Sequence, residues 1–141
     1  MTVVPVISAD TLRACVGFQD LIEPMAHVFQ EPSSGRADAK FLAIFHAERP
    51  ELGDVYIKTG SVRGFPIFVV KISPWFAANV ASGNTQGGFI AVLEAQTGHT
   101  LAILAEDHYL SDIAERLRPV LPVPPSGWKP ISSRSSARAT R

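Results

Sequence analysis

The chain has 141 residues, an apolar fraction of 46%, and 13 basic against 13 acidic side chains. That length holds at most one domain of ordinary size, and the apolar content is enough for a core. A balanced charge excludes an overall field that would recruit nucleic acid or an acidic membrane, and a single cysteine, Cys15, excludes an internal disulfide.

In chain order, VVPVI (3–7) reads as a short β-like entry. Ser8 follows as a helix cap with Asp10 in the first turn. Leu12, Cys15 and Val16 then form a short apolar stripe, which predicts Cys15 as a small core residue. Gly17 ends that piece. A second helix is predicted from Gln19 or Asp20, with Leu21, Ile22, Met25, Val28 and Phe29 on one face. Pro24 falls close enough to its first turns to be tolerated, and EPSSG (31–35) is its predicted stop.

From Lys40 the period changes. FLAIFH (41–46) is a strand candidate, and HAERPELGD (46–54) is a polar turn. VYIKTGSV (55–62) alternates, RGFP (63–66) turns, and IFVVKIS (67–73) is a nearly continuous apolar strand. PWFAANVASGNTQGG (74–88) reads as a long connection. FIAVLEAQTGHTLAIL (89–104) is a hairpin with Gly98 at the predicted positive-φ position. EDHYLSDI (106–113) begins a helix, which AERL can extend by one turn. The fold class expected is α+β: two N-terminal helices, then a mixed, largely antiparallel sheet, with no Rossmann domain.

After Ile113 the composition shifts. Residues 1–113 hold 7 basic and 12 acidic side chains, whereas 114–141 hold 6 and 1. Pro119, Pro122, Pro124 and Pro125 exclude a helix. SSRSSARATR offers nothing to offset the entropy of ordering it. The chain is therefore divided into an incomplete domain, 1–113, and a Pro/Ser/Arg-rich tail, 114–141, expected to be disordered. A basic tail can serve as a nucleic-acid arm, but that role is not expected here. The first residues carry no basic stretch and no long apolar run, so no signal peptide is expected. With no apolar run of roughly 18–20 residues, no membrane association is expected either, and the compartment expected is the cytoplasm.

Chemistry centres on Lys71, in Phe-Val-Val-Lys-Ile. A lysine on an otherwise apolar strand either snorkels at a sheet edge or faces a polar pocket. In a pocket it is a natural partner for a carboxylate. His27, His46, His99 and His108 have no mutual metal-ligand spacing, and no metal is expected. The glycines of Gly83-Asn84-Thr85-Gln86-Gly87-Gly88 lead into a strand rather than a helix, so they form no dinucleotide fingerprint. No catalytic residue is assigned.

Taken together, ISADTLRACVGFQDLIEPMAHVFQ, HAERPELGDVYIKTG, FVVKIS, AVLEAQTGHTLAIL and EDHYLSDI resemble the N-terminal half of the ornithine cyclodeaminase/mu-crystallin family, over about residues 5 to 113. The resemblance implies a substrate-binding and dimerisation half of an enzyme whose second half binds NAD or NADP and interconverts amino acids, imines and keto acids. It implies that Lys71 is a substrate carboxylate ligand. Two expected arginines are missing. After Asp-Ile the family continues Arg-Thr-Ala-Ala, whereas here Ala114 and Glu115 follow, and Arg116 is two places late, where a helix turns it by roughly 200°. The other arginine position aligns with Leu42, with Lys40 and Arg36 near it on different phases.

The resemblance therefore implies a truncated relative with no cofactor in this chain, inactive alone, and with weak affinity at best for an amino or imino acid. The Arg-, Pro-, Ser- and Ala-rich composition from Ala114 onward fits out-of-frame translation of a GC-rich gene, which suggests a frameshift near codon 113. The alternative is a non-enzymatic module that pairs with itself or with a full-length homologue.

Overall fold

The computed structural model describes residues 3–45 and 52–117. His46, most of the predicted polar turn at 46–54 and the tail from residue 118 lie outside the described residues.

The chain enters through a short strand, β1 (Val6–Ser8), and helix α1 (Ala9–Cys15). Ser8 caps the helix, its hydroxyl accepting the Thr11 N–H at 3.2 Å. One 3-10 turn (Gln19–Leu21) leads into α2 (Ile22–Ser34), then come β2 (Ala37–Ile44), β3 (Gly53–Val62) and β4 (Ile67–Phe76). A short helix α3 (Ala77–Ser82) precedes β5 (Phe89–Glu94), β6 (Thr100–Ala105) and α4 (Tyr109–Leu117). The strands form one six-stranded sheet in the order β1-β6-β5-β4-β3-β2. The β1–β6 pair is parallel and the other four pairs are antiparallel. This is the α+β architecture and mixed sheet that the sequence predicts.

Several expectations are corrected. Cys15 is exposed. Helix α1 has only seven residues and Cys15 is its last, so of the predicted stripe only Leu12 is buried. Helix α2 stops within EPSSG as predicted, but only at its last residues. Its backbone runs through Pro32 to Ser34, and Gly35, at φ +71°, ends it, as a left-handed glycine does after a helix. Strand β2 starts four residues earlier than predicted, because Ala37 to Lys40 pair in register with Val62 to Thr59. Strand β4 likewise runs on through Pro74, where its β5 partner has already ended at Phe89 opposite Ile72. At such an edge a missing N–H is tolerated. There Gln86 takes the place of a strand: its side-chain oxygen accepts the Phe76 N–H at 2.9 Å and its amide donates to Phe76 O at 3.4 Å.

Helix α4 takes the extra turn that AERL allows, through Leu117. Ile113 and Leu117 are its buried residues, packed against Phe18, Leu21, Ile22, Met25, Ala26 and Tyr109. This contact ties α4 to α2 and the 3-10 turn. Tyr109 adds a hydrogen bond from its hydroxyl to Val16 O at 2.6 Å. No helix among the described residues is long and apolar enough to cross a membrane.

Candidate carboxylate-binding site

Alternation along the strands sorts the side chains onto two faces. One cross-sheet row runs Phe41, Lys58, Lys71, Ile90, Leu104 and Ile7, from β2 to β1. Lys71 therefore stands in the interior of the sheet, on the face over which α4 lies. It does not snorkel at an edge.

Its side chain is 14% exposed and its ammonium lies 2.5 Å from Glu106 Oε1, whose own side chain is 1% exposed. Lys71 also donates to Ser111 Oγ at 2.5 Å. Glu106 Oε1 accepts no well-aligned hydrogen bond, so its contact with Lys71 is an ion pair. The other oxygen, Oε2, accepts the Leu110 N–H at 2.7 Å. Glu106 thus does two things. It neutralises the strand lysine, and it satisfies one of the free N–H groups in the first turn of α4. A charge buried this deeply is tolerated only when it is paired and hydrogen-bonded.

The turn that delivers Glu106 is strained. Asp107 and His108 have φ of 47° and 64°, a conformation costly for residues with a Cβ. Two contacts hold it: Asp107 Oδ1 accepts the Gly87 N–H at 2.9 Å, and His108 Nε2 donates to Pro74 O at 2.8 Å. The glycine-rich loop is therefore a brace for the Glu106 turn. Gly87 and Gly88 have φ of 71° and 92°, and the next residues enter β5. With a strand where a dinucleotide loop needs a helix, this segment does not fit NAD(P).

Beside Lys71 stands Lys58, directly opposite it across β3–β4. Its ammonium lies 5.9 Å from the centroid of the Tyr56 ring. Burial pushes the Lys58 pKa down, the Lys71 charge adds to this, and Glu115 and Glu106 oppose it. Tyr56 donates to Asp54 Oδ2 at 2.5 Å, and that hydrogen bond pushes the phenol up to about 12.

Of the sequence candidates, the structure brings Lys71 into a buried polar cluster. Leu42, which stands at one missing arginine's position, and the nearby cations Arg36, Lys40 and Arg116 stay away from it. Arg116 stacks its guanidinium 5.5 Å from the centroid of the Phe18 ring. Leu42 and Lys40 belong to the opposite face of β2, where Lys40 pairs with Asp38 at 2.6 Å. Arg36 precedes β2 at the far end of the sheet. Among the described residues no three of His, Cys, Asp and Glu gather as a metal site. A separate open cavity of about 330 Å³ lies at the β3–β4 turn, lined by Asp38, Thr59, Arg63, Phe65 and Phe68 among others, and includes none of the Lys71 cluster.

A mixed sheet with a lysine in its interior, sealed by a helix that brings a glutamate and a serine, defines an α+β fold built around a buried polar cluster. Comparison with known proteins gives the particular likeness: the chain resembles ornithine cyclodeaminase/mu-crystallin-like enzymes over part of its length. An uncharacterized cyclodeaminase of Sinorhizobium fredii is 37% identical over 62 residues, 43% of this chain and 19% of that protein. The Thermococcus litoralis Δ1-pyrroline-2-carboxylate reductase, solved with NADH and L-proline, superposes with a TM-score of 0.71 at 17% identity, over 82% of this chain and 35% of that one. A protein described as a probable ornithine cyclodeaminase, from Bordetella pertussis, gives 0.67 at 14% identity, over 84% and 35%. No family model matches the chain. The chain thus corresponds to about a third of the solved structures it resembles.

Proposed function

We propose that the described residues form the carboxylate-recognising half of an NAD(P)-linked amino-acid or imino-acid enzyme, with Lys71 as the group that holds the ligand's carboxylate. The observation that carries this reading is the buried Lys71–Glu106–Ser111 cluster on an interior strand. Helix α4 holds a cation in a fixed place at low exposure, where a charge-assisted bond contributes about 1.5–3 kcal/mol. Ser111 fixes the ammonium's direction, and Glu106 keeps its charge from being stranded when no ligand is bound.

Hydride transfer belongs to the nicotinamide group and needs a nucleotide site. On this reading that site belongs to the other half of the enzyme, and this chain by itself binds the carboxylate without oxidising or reducing it. The test is a titration of the full chain with L-proline followed by NMR, alongside an NADH oxidation assay with a cyclic imino acid. The expected result is weak, saturable binding that K71M abolishes, with no turnover. Absence of binding overturns the role of Lys71, and turnover by the chain alone overturns its inactivity.

The second reading, a module that pairs with itself or a full-length homologue, is favoured by the face of the sheet opposite Lys71. There Val6, Leu42, Ile44 and Leu101 are all exposed.

A further inference from the structure

Two lysines stand directly opposite each other at Lys58 and Lys71. Like charges in that position repel and destabilise a sheet, and each loses hydration on the half-buried face. Compensation is unequal. Lys71 has the buried carboxylate of Glu106 at 2.5 Å. The acidic groups acting on Lys58 are Glu115, one helical turn beyond Ser111, and Glu106, which is already engaged. Glu115 is exposed, so water screens its charge. The row therefore holds one neutralised cation and one that is only partly compensated, side by side under α4.

We propose that Lys58 is a second carboxylate ligand, and that the carboxylate of a small organic acid sits between the Lys58 and Lys71 ammonium groups. This rests on the function proposed for Lys71 and adds the cation that makes the site electrically receptive to an anion. Residues opposite each other on one sheet face have Cβ atoms about 4.5–5.5 Å apart, a separation at which two lysine heads can flank one carboxylate, each taking an oxygen. The bound anion relieves the repulsion between the lysines. Lys58 thereby occupies the electrostatic place that an arginine at Ala114 would otherwise fill, reached from β3 instead of α4. Glu115 competes with the ligand for Lys58.

The proposal is tested on the full chain with pyruvate as the probe, reading affinity from NMR shift changes. Losing one charge-assisted bond should weaken binding by about 10- to 100-fold in K58M, and K58R should recover most of it. E115Q should act in the opposite direction, tightening binding by roughly twofold to fivefold, as removal of an exposed competing charge does. A purely structural role for Lys58 would not give opposite signs for two folded variants. If K71M abolishes binding while K58M and E115Q leave it unchanged, the Lys58 proposal is overturned and the Lys71 reading stands. If the unmodified chain binds neither pyruvate nor L-proline, both fall.

Discussion

At the scale of single residues, the Lys71–Glu106 pair sets the sharpest expectation. Glu106→Gln keeps the shape and leaves the Lys71 ammonium without its counter-charge at 14% exposure. Breaking a buried pair from one side costs about 3–5 kcal/mol, so urea unfolding at neutral pH should show a loss of that order. The double variant K71M/E106L removes both charges and should recover most of it. If E106Q unfolds at the same urea concentration as the parent chain, the pair is not buried in solution.

Tyr56 gives a pH signature. Its folded pKa is raised to about 12 by the hydrogen bond to Asp54, above the ordinary tyrosine value of about 10. The associated stability is fully present below pH ~10 and is lost as pH rises through ~12. Stability measured across that window should fall in the parent chain, and the part of the fall due to Tyr56 should be missing in Y56F.

The sequence made Lys71 legible because an ammonium interrupts an apolar strand. It concealed Glu106, which sits at the start of a helix, where an acid reads as an ordinary first-turn residue. Lys58 was within reach of the sequence: the RGFP turn, centred between Gly64 and Phe65, sets the register that puts it opposite Lys71. Alternation alone shows which face a lysine takes and not which residue it faces.

At the scale of elements, the brace at Gly87–Gly88 and the last turn of α4 carry separate expectations. A Cβ on Gly88 would meet Ile72 O at 2.7 Å, with φ at +92°. Gly98 also has a positive φ, of 73°, but has open space around it. Gly98→Ala should therefore cost about 1 kcal/mol from conformation alone. Gly88→Ala adds a backbone clash and should cost about 2–3 kcal/mol or more. Thermal melts of the two variants compare them, and equal losses would show that the close approach of the loop to β4 is relaxed in solution.

Leu117 is fully buried, so L117A should cost about 2–5 kcal/mol. A chain ended after Ile113 should be destabilised at least as much as L117A. The composition change after Ile113 hid this, because one arginine and one glutamate among four residues mask an Ile113–Leu117 pair at helical spacing. Strand β2 was under-read for a similar reason: Ala37 and Ala39 are too small to mark the face from which Asp38 and Lys40 point away. The strands and hairpins rich in branched apolar residues were legible because their period is unambiguous.

At the scale of the whole molecule, the two faces of the sheet are unequally served. Helix α4 covers the Lys71 side, where it packs on α2. On the opposite face Leu42, Ile44 and Leu101 are 56%, 41% and 44% exposed, and β2 is also an edge strand. Its first half is guarded by the exposed Asp38–Lys40 ion pair, the kind of charge that discourages edge pairing. Its second half, Leu42 to Ile44, carries no charge. Side chains of this kind are a liability unless another surface covers them, and the proposed partner is a second copy of the chain or a full-length homologue offering the same face. Sedimentation equilibrium should then show a dimer at micromolar concentration, and Leu42→Glu with Ile44→Glu should shift it to monomer while circular dichroism keeps its sheet signal. Leu42 and Ile44 lie on the face away from Lys71, so pyruvate binding should survive in the monomer. A parent chain that stays monomeric and does not join a homologue would overturn the pairing. Loss of pyruvate binding on dissociation would instead mean that the partner chain helps hold the Lys71 face in shape.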